Sequence, residues 1–443
     1  MRLKFNNIGK ISEADIELNS ITVIAGNNDT GKSTVGKLLY AVSMALHLVT
    51  PHSLLLDKFE TIYNELSNFS SRIIGKDKVV KRLEGLSDKY KHLFYDPRQN
   101  HHTKIAVKHS DLVDFEKELD LAVAEIIKEL KKELIDEDVT TNKQRLDSLY
   151  PKLVTLANDI RPSEIQDMIL TEFSGTLTSE MRKGETAEVI FLKENENEIK
   201  LNFLNNKLHS SSETTLKNSV FKSFYIENPF ALDNDFNIFI RDKSKPYSIY
   251  KHREQLAIWL TMHGNMERNI FDMNLQKEIV EEIFSSVIDG DVKRGNRSFQ
   301  YYTTQFSEPL DMGNVSTGIK SFAILKLLIE TGGLSDCEFL ILDEPEIHLH
   351  PEWQLKYAEL IVLLTIHYPI RILLTSHSPY FVEAIELYSQ LHKTDKGVRF
   401  YKTEPDGYMS KIINVTNCID KLYEDMARPF RMLEELEDEL SDE

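Results

Sequence analysis

The octapeptide Gly26-Asn27-Asn28-Asp29-Thr30-Gly31-Lys32-Ser33 constrains the fold of this chain more than any other feature. It fits G-x-x-x-x-G-K-[ST] without a mismatch. It follows the branched apolar run Ser20–Ala25 and precedes a run with Val35, Leu38, Leu39, Val42 and Leu46 at helical spacing. A strand, a glycine turn and a helix are therefore expected in that order. The glycines permit a curl in which successive N–H groups converge on phosphate oxygens, and the helix start adds its positive dipole end. In this reading Lys32 supplies a charge for the β- and γ-phosphates, Ser33 a hydroxyl ligand for Mg²⁺, and Thr34 a contact to the α-phosphate.

Three further segments point to the same chemistry. Phe339-Leu340-Ile341-Leu342 is an apolar strand ending in Asp343-Glu344. Alone that pattern is common. Paired with the glycine turn it is specific: Asp343 would hold a Mg²⁺-bound water and Glu344 would act as general base. Leu373-Leu374-Thr375-Ser376 is a second apolar strand and leads to His377, placed to hydrogen-bond a γ-phosphate. Asn314-Val315-Ser316-Thr317-Gly318-Ile319-Lys320 precedes a helical stretch and can present donors to a phosphate, although spacing alone makes it only a capped helix. His348 and His350 form an H-x-H, but no third ligand is identifiable for a zinc site.

Composition removes other classes. With 53 basic and 71 acidic residues the net charge is −18, which argues against a surface that coats nucleic acid nonspecifically. Two cysteines are too few for a disulfide framework and suit a cytoplasmic location. The longest mostly apolar stretch, Leu38–Val49, is shorter than the roughly 18 residues a membrane span needs, so no membrane association is expected. The densest basic cluster is Arg72, Lys76, Lys78, Lys81, Arg82, Lys89 and Lys91, with Asp77, Glu84 and Asp88 inside it. It reads as a solvated helical face, with contact to DNA or RNA as the alternative.

Helical spacing dominates from Pro51 to Arg182, best in Asp111–Asp136, with Ser110 as its N-cap. Thr186–Leu192, Glu198–Phe203 and Ser219–Ile226 read as strands, Ile249–Ile288 as helical, and Val398–Tyr401 and Lys411–Val415 as strands again. The tail from Glu424 holds nine acids and two arginines and reads as a solvated helix end.

Together the four motifs, in this order, resemble the ABC-type ATPase head of SMC, RecF and OLD-family proteins. The resemblance covers Met1–Val49 and Asn314–Ile413. It implies an α/β fold, a P-loop head with a mixed sheet flanked by helices, N-terminal antiparallel strands and a large mainly helical insertion. It makes Gly26–Thr34 Walker A, Phe339–Glu344 Walker B, Asn314–Lys320 the signature loop and His377 the switch histidine. The family's signature acts in trans, so Asn314, Ser316, Gly318 and Lys320 are expected on the γ-phosphate held by a second copy. A homodimer or higher homo-oligomer follows, with ATP and Mg²⁺ as cofactors.

Two departures refine the resemblance. Val315-Ser316-Thr317-Gly318-Ile319 replaces Leu-Ser-Gly-Gly-Gln, and Pro345-Glu346-Ile347-His348-Leu349-His350-Pro351 looks like the "DEPE-x-HLHP" form of OLD-like and RecF-like bacterial ATPases. The family's Q-loop glutamine is left unassigned. About 60 residues follow His377-Ser378-Pro379-Tyr380, too few for the Toprim nuclease domain of OLD proteins, so no nuclease activity of its own is expected. The chain is similar to stand-alone ATPase subunits of anti-phage systems of the Septu or PARIS type, which implies a separate nuclease or toxin partner. The alternative is a RecF- or SMC-like DNA-repair or chromosome-maintenance ATPase. The segments expected are residues 1–49 and 314–415 for the two parts of the head and 50–183 for the helical insertion. Residues 184–313 are a strand-rich then helical part, and 416–443 the acidic tail.

Overall fold

The computed structural model describes residues 1–48, 55, 59, 62–63, 66, 76–90, 109–133, 160–192, 198–211, 222–233, 251–263, 282, 284–295, 297–335 and 337–441. The chain forms two compact units, one of Met1–His47 with Gln166–Glu443, the other of Leu48–Ile165. Residues 166–183, grouped with the insertion on sequence, belong to the first unit.

The first unit begins with the hairpin β1 (Arg2–Ile8) and β2 (Ile11–Glu17), followed by β3 (Ile21–Ala25) and α1 (Lys32–Leu48). All five residues of β3 are buried, as expected of a strand covered on both faces. The turn between β3 and α1 is the glycine octapeptide.

In the second unit, the helical residues Leu55, Phe59, Ile62 and Leu66 are buried at spacings of three and four, one apolar stripe. With α2 (Lys76–Lys89) and α3 (His109–Glu133) they form a small core. Phe115 is fully buried, its ring 5.7 Å from Phe59 and 5.1 Å from Tyr90. The helix expected over Asp111–Asp136 is α3. It begins at His109, so Ser110 lies inside its first turn, and residues 134–136 lie outside the described ones. Within the basic cluster Arg82 bonds Glu125 at 2.5 Å and Glu129 at 3.2 Å, and Lys89 bonds Glu118 at 2.5 Å. Arg72 and Lys91 lie outside the described residues.

The remainder of the first unit runs α4 (Ile160–Glu172, whose first residues belong to the second unit), β4 (Ala187–Leu192), β5 (Ile199–Leu204), β6 (Lys207–Ser211), β7 (Ser223–Ile226), α5 (His252–His263), β8 (Asp291–Arg294), β9 (Phe299–Tyr302) and β10 (Leu310–Asp311). Then come α6 (Thr317–Glu330), β11 (Phe339–Asp343), α7 (Pro351–His367), β12 (Arg371–Ser376), α8 (Pro379–Leu391), β13 (Val398–Asp406), β14 (Met409–Asn414), α9 (Asp420–Met426) and α10 (Arg428–Ser441). The strands expected on sequence are all present within the described residues. Strands β8 to β10, a separate antiparallel sheet, were not expected. Helical spacing between Ile249 and Ile288 is realised in α5, and residues 264–281 lie outside the described ones.

The main sheet has eleven strands in the order β6-β5-β4-β1-β2-β14-β13-β3-β12-β11-β7. It is mixed, as expected. Strands β13, β3, β12, β11 and β7 are parallel neighbours, while β1, β2, β4, β5 and β6 pair antiparallel. Leu340, Leu342, Ile372, Leu374, Ile21 and Val23 face a core built with α5, α6, α7 and α8. Helix α1 covers the opposite face, where Gly36 lies against Ile341 and Tyr225. Because β3, β12, β11 and β7 are parallel, their carboxyl ends share one edge, which is where ligands bind in open α/β sheets.

Candidate nucleotide site

The glycine turn leaves β3 at that edge. Gly26 has φ +154° and Gly31 φ +88°, conformations L side chains rarely adopt. A Cβ on Gly26 would stand 2.0 Å from Thr403 Oγ1 of β13, so only glycine fits beneath that strand. Thr403 Oγ1 donates to Thr30 Oγ1 at 3.0 Å, and Thr30 donates to the Asn27 carbonyl at 2.8 Å. Asn27, Asn28 and Asp29 are exposed at the crown of the turn, and Thr34 N–H makes the first helical bond to Gly31. The β1–β2 hairpin tip reaches this turn: Lys10 pairs with Asp29, and Gly9 lies against Thr34.

Lys32 is 4 % exposed and has traded water for protein. Its ammonium donates to the Gly26 and Asn27 carbonyls at 2.9 and 2.8 Å and stands 3.2 Å from Glu344 Oε1. Glu344 follows β11 with φ +47°, a left-handed conformation that costs an L residue about 1–2 kcal/mol. Its N–H is held there by the Thr375 hydroxyl (3.0 Å) and carbonyl (3.2 Å) of β12. The neighbouring strand thus aims the carboxylate at Lys32.

Asp343 is 7 % exposed. Ser33 donates to its Oδ1 at 3.1 Å, Thr375 to the same oxygen, and Tyr225 of β7 to Oδ2 at 2.8 Å. Burial beside Asp343 pushes the Tyr225 phenol well above its usual range, so it stays a donor. A hydroxyl touching a buried carboxylate at a phosphate-binding turn is an oxygen set that suits Mg²⁺, which binds through one or two such ligands plus phosphates and water. The residues fit the ion.

His377 follows β12, with Nδ1 3.5 Å from Glu344 and 3.7 Å from Glu346. Glu346 is 2 % exposed and accepts from Ser376 Oγ at 2.6 Å and from the His377 N–H at 3.1 Å. Burial raises its pKa against those bonds. It ties the loop after β11 to the loop after β12.

The Asn314–Lys320 loop has two faces. Asn314 and Ser316 are exposed, and Ser316 caps α6 by accepting from the Ile319 N–H at 3.4 Å. Gly318 and Lys320 point inward. A Cβ on Gly318 would meet the Trp353 ring at 3.0 Å and the His348 carbonyl at 3.3 Å. Lys320 is 2 % exposed and pairs with Asp233 at 2.8 Å. Of the four residues expected to meet a second nucleotide, two present themselves outward. Gly318 permits close packing, and Lys320 completes a buried ion pair. His348 packs edge-on to Phe230 and His350 precedes α7. Among the described residues no cluster of metal-ligating side chains occurs, and no helix is long and apolar enough to cross a membrane.

Lys32, Ser33, Asp343, Glu344 and His377 are therefore brought together. Sequence reasoning missed Lys10, Tyr225, Thr375 and Glu346. The run Ser219–Ile226 reads as a strand, but nothing in it reports that Tyr225 lies against Asp343, 118 positions away.

Residues 54–383 match the protein family described as "AAA domain, putative AbiEii toxin, Type IV TA system". The chain belongs to this family, AAA_21. The match spans about three quarters of it and includes Asp343, Glu344 and His377. As an AAA_21 chain it is a P-loop ATPase domain. No curated protein matches the sequence. Similar solved structures are an Smc head bound to the C-terminal winged-helix domain of ScpA (12 % identity, TM-score 0.38, covering 93 % of this chain and 96 % of that one). Another is an SMC head domain from Thermotoga maritima (11 %, TM-score 0.37, 94 % and 98 %). A third is an Smc head with an extended coiled coil, bound to the C-terminal domain of ScpA and derived from Pyrococcus furiosus (9 %, TM-score 0.33, 98 % and 98 %). The fold assignment rests on the sheet order and the glycine turn described above.

Proposed function

We propose that this AAA_21 chain hydrolyses ATP to ADP and phosphate, and that the cycle switches a separate nuclease or toxin subunit of an anti-phage defence complex. The observation that carries the ATPase reading is the convergence at one sheet edge of Lys32 and Ser33 from the turn after β3, Asp343 and Glu344 from the end of β11, and His377 from the end of β12.

Lys32 donates to two carbonyls and pairs with the Glu344 carboxylate, so the base lies beside the cation that a triphosphate would draw away. A triphosphate offers Lys32 stronger anionic acceptors, and its move toward them releases Glu344. Glu344 then takes a proton from a water attacking the γ-phosphorus in line, the bond to the bridging oxygen breaks, and ADP leaves with that electron pair. His377 donates to a γ-phosphate oxygen. Mg²⁺, when bound, neutralises charge on the β- and γ-phosphates. Asn314 and Ser316 of a second copy supply the remaining donors, which makes ATP binding a dimerisation signal.

The family description, with its toxin of a type IV toxin–antitoxin system, supports the defence reading over DNA repair. So does the pairing of Arg82 and Lys89 with acids, which removes charge from the densest basic cluster. The test is ATP turnover by the purified chain together with nuclease assays and growth assays, with and without the neighbouring gene product. ATP turnover with growth arrest only in the partner's presence is expected. DNA or RNA cleavage by the chain alone that survives Glu344→Gln would overturn the separate-effector reading, and growth arrest by the chain alone would make the chain itself the toxin.

A further inference from the structure

Behind the phosphate site lies a buried cluster that ATP chemistry does not use. His252 opens α5 with 4 % of its side chain exposed. Its Nδ1 is 2.6 Å from Glu172 Oε1 and its Nε2 3.1 Å from Glu227 Oε2, while the second Glu172 oxygen accepts the His252 backbone N–H at 3.1 Å. Both ring nitrogens face carboxylates, so both carry hydrogens and the ring is an imidazolium. Burial lowers its pKa, but the two carboxylates outweigh that and the net direction is up.

The imidazolium face lies on Tyr225, with ring centroids 4.3 Å apart and planes 30° from parallel. Tyr40 of α1 meets the Tyr225 ring at 6.1 Å and the His252 ring edge-on at 6.0 Å. Tyr225 is thus held in place by two aromatic neighbours, and its hydroxyl meets Asp343 Oδ2. A cation over an aromatic ring is attracted to it, which adds to the stacking that holds the phenol in place. Stability alone gives little reason for such a cluster, since buried ion pairs are often matched or bettered by apolar packing. Glu227 also follows β7 directly, and Ile226 is in register with Leu342, so Glu227 and Asp343 leave the sheet side by side.

We propose that His252, clamped by Glu172 and Glu227 and stacked on Tyr225, is a positioning residue for Asp343, the carboxylate of the Mg²⁺ site. Through Tyr225 it fixes which Asp343 oxygen accepts the phenol, and so how the carboxylate is presented to Ser33 and Thr375 on its other oxygen. The inference rests on the ATPase reading.

The test is a Mg²⁺ titration of two signals, the ATP-induced rise in melting temperature and the rate of ATP turnover, with ATP binding in EDTA as reference. Partners of metal ligands typically change metal affinity or activity by 10–100-fold when removed, so Tyr225→Phe and His252→Gln should each raise the half-maximal Mg²⁺ concentration by about tenfold while binding in EDTA is unchanged. The double variant His252→Phe with Glu172→Gln keeps a ring on Tyr225 without a lone buried charge, and should return the Mg²⁺ requirement toward wild type. If His252→Gln does not fold, Tyr225→Phe and the double variant decide. A native requirement in Tyr225→Phe, or a double variant as impaired as Tyr225→Phe, overturns the inference. Wild-type protein that binds ATP with variants indistinguishable from it sinks only this inference. Wild-type protein that binds no ATP sinks the ATPase reading, and this inference with it.

Discussion

Replacing Glu227 by glutamine should produce a stability loss with a defined pH window. The Glu227 carboxyl is held down from its ordinary 4.5 to about 2, first by the bond from His252 and then by Arg253, against the opposing effect of burial. At about 1.36 kcal/mol per unit, a displacement of roughly 2.5 units corresponds to about 3 kcal/mol. That is an upper figure, because Arg253 is largely exposed and its share is screened by solvent. His252 and Glu227 describe one interaction from its two ends, so it is counted once.

The sign follows from which state binds the proton more tightly. Glu227 has the lower pKa in the folded chain, so its contribution is complete above pH 4.5 and is lost as pH falls toward 2. His252 has the higher pKa in the folded chain, so its side of the pair is complete below pH 6.5 and is lost as pH rises through the raised value. Urea unfolding of wild type and Glu227→Gln should therefore differ by at most about 3 kcal/mol near pH 5.5, by about half as much at pH 3, and by less than the pH 5.5 difference at high pH. A difference that stays constant across this range, or grows as the solution is acidified, would show that the Glu227 carboxylate is not held by His252 in the folded chain.

Glu344→Gln should slow ATP turnover by about 10²–10⁴-fold through loss of the base, yet bind ATP at least as tightly, because Lys32 no longer has to leave a carboxylate; single-turnover hydrolysis and equilibrium binding check the two halves. Gly26→Ala should abolish nucleotide binding in a fluorescent-ATP titration, with Thr403→Ser giving no rescue, since the clash is with Oγ1 itself, and Thr403→Ala only partial rescue, since φ +154° persists. Lys320→Met should cost about 3 kcal/mol in unfolding free energy by stranding Asp233, with turnover per folded molecule retained. A stable Lys320→Met protein that had lost ATP turnover would instead place Lys320 on a phosphate.

The site was legible in the sequence wherever function demands a local pattern. The curl at Gly26–Lys32 needs glycines at fixed offsets, and strands buried on both faces must be short apolar runs, so Ile21–Ala25, Phe339–Leu342 and Arg371–Thr375 announce themselves. Their common orientation follows once they are taken as parallel. What could not be read is contact between distant positions: His252 meets Glu172 across 80 residues and Tyr225 meets Asp343 across 118. No periodicity reports such a pairing. Lys320 illustrates the converse. A lysine beside a serine–glycine loop looks like a phosphate ligand, and only the tertiary position of Asp233 shows that its charge is already matched. The small sheet β8–β10 was missed because strands of two to four residues carry too few positions for alternation to register.

In the function we propose, ATP joins two copies of this chain through the exposed Asn314–Ser316 face of one and the glycine turn of the other. Light scattering on Glu344→Gln measures it directly. A species of 51.3 kDa is expected without nucleotide and one of twice that mass with ATP and Mg²⁺, reverting to the smaller when Ser316→Arg is added. A mass that does not change with ATP, or a dimer indifferent to Ser316→Arg, would contradict it.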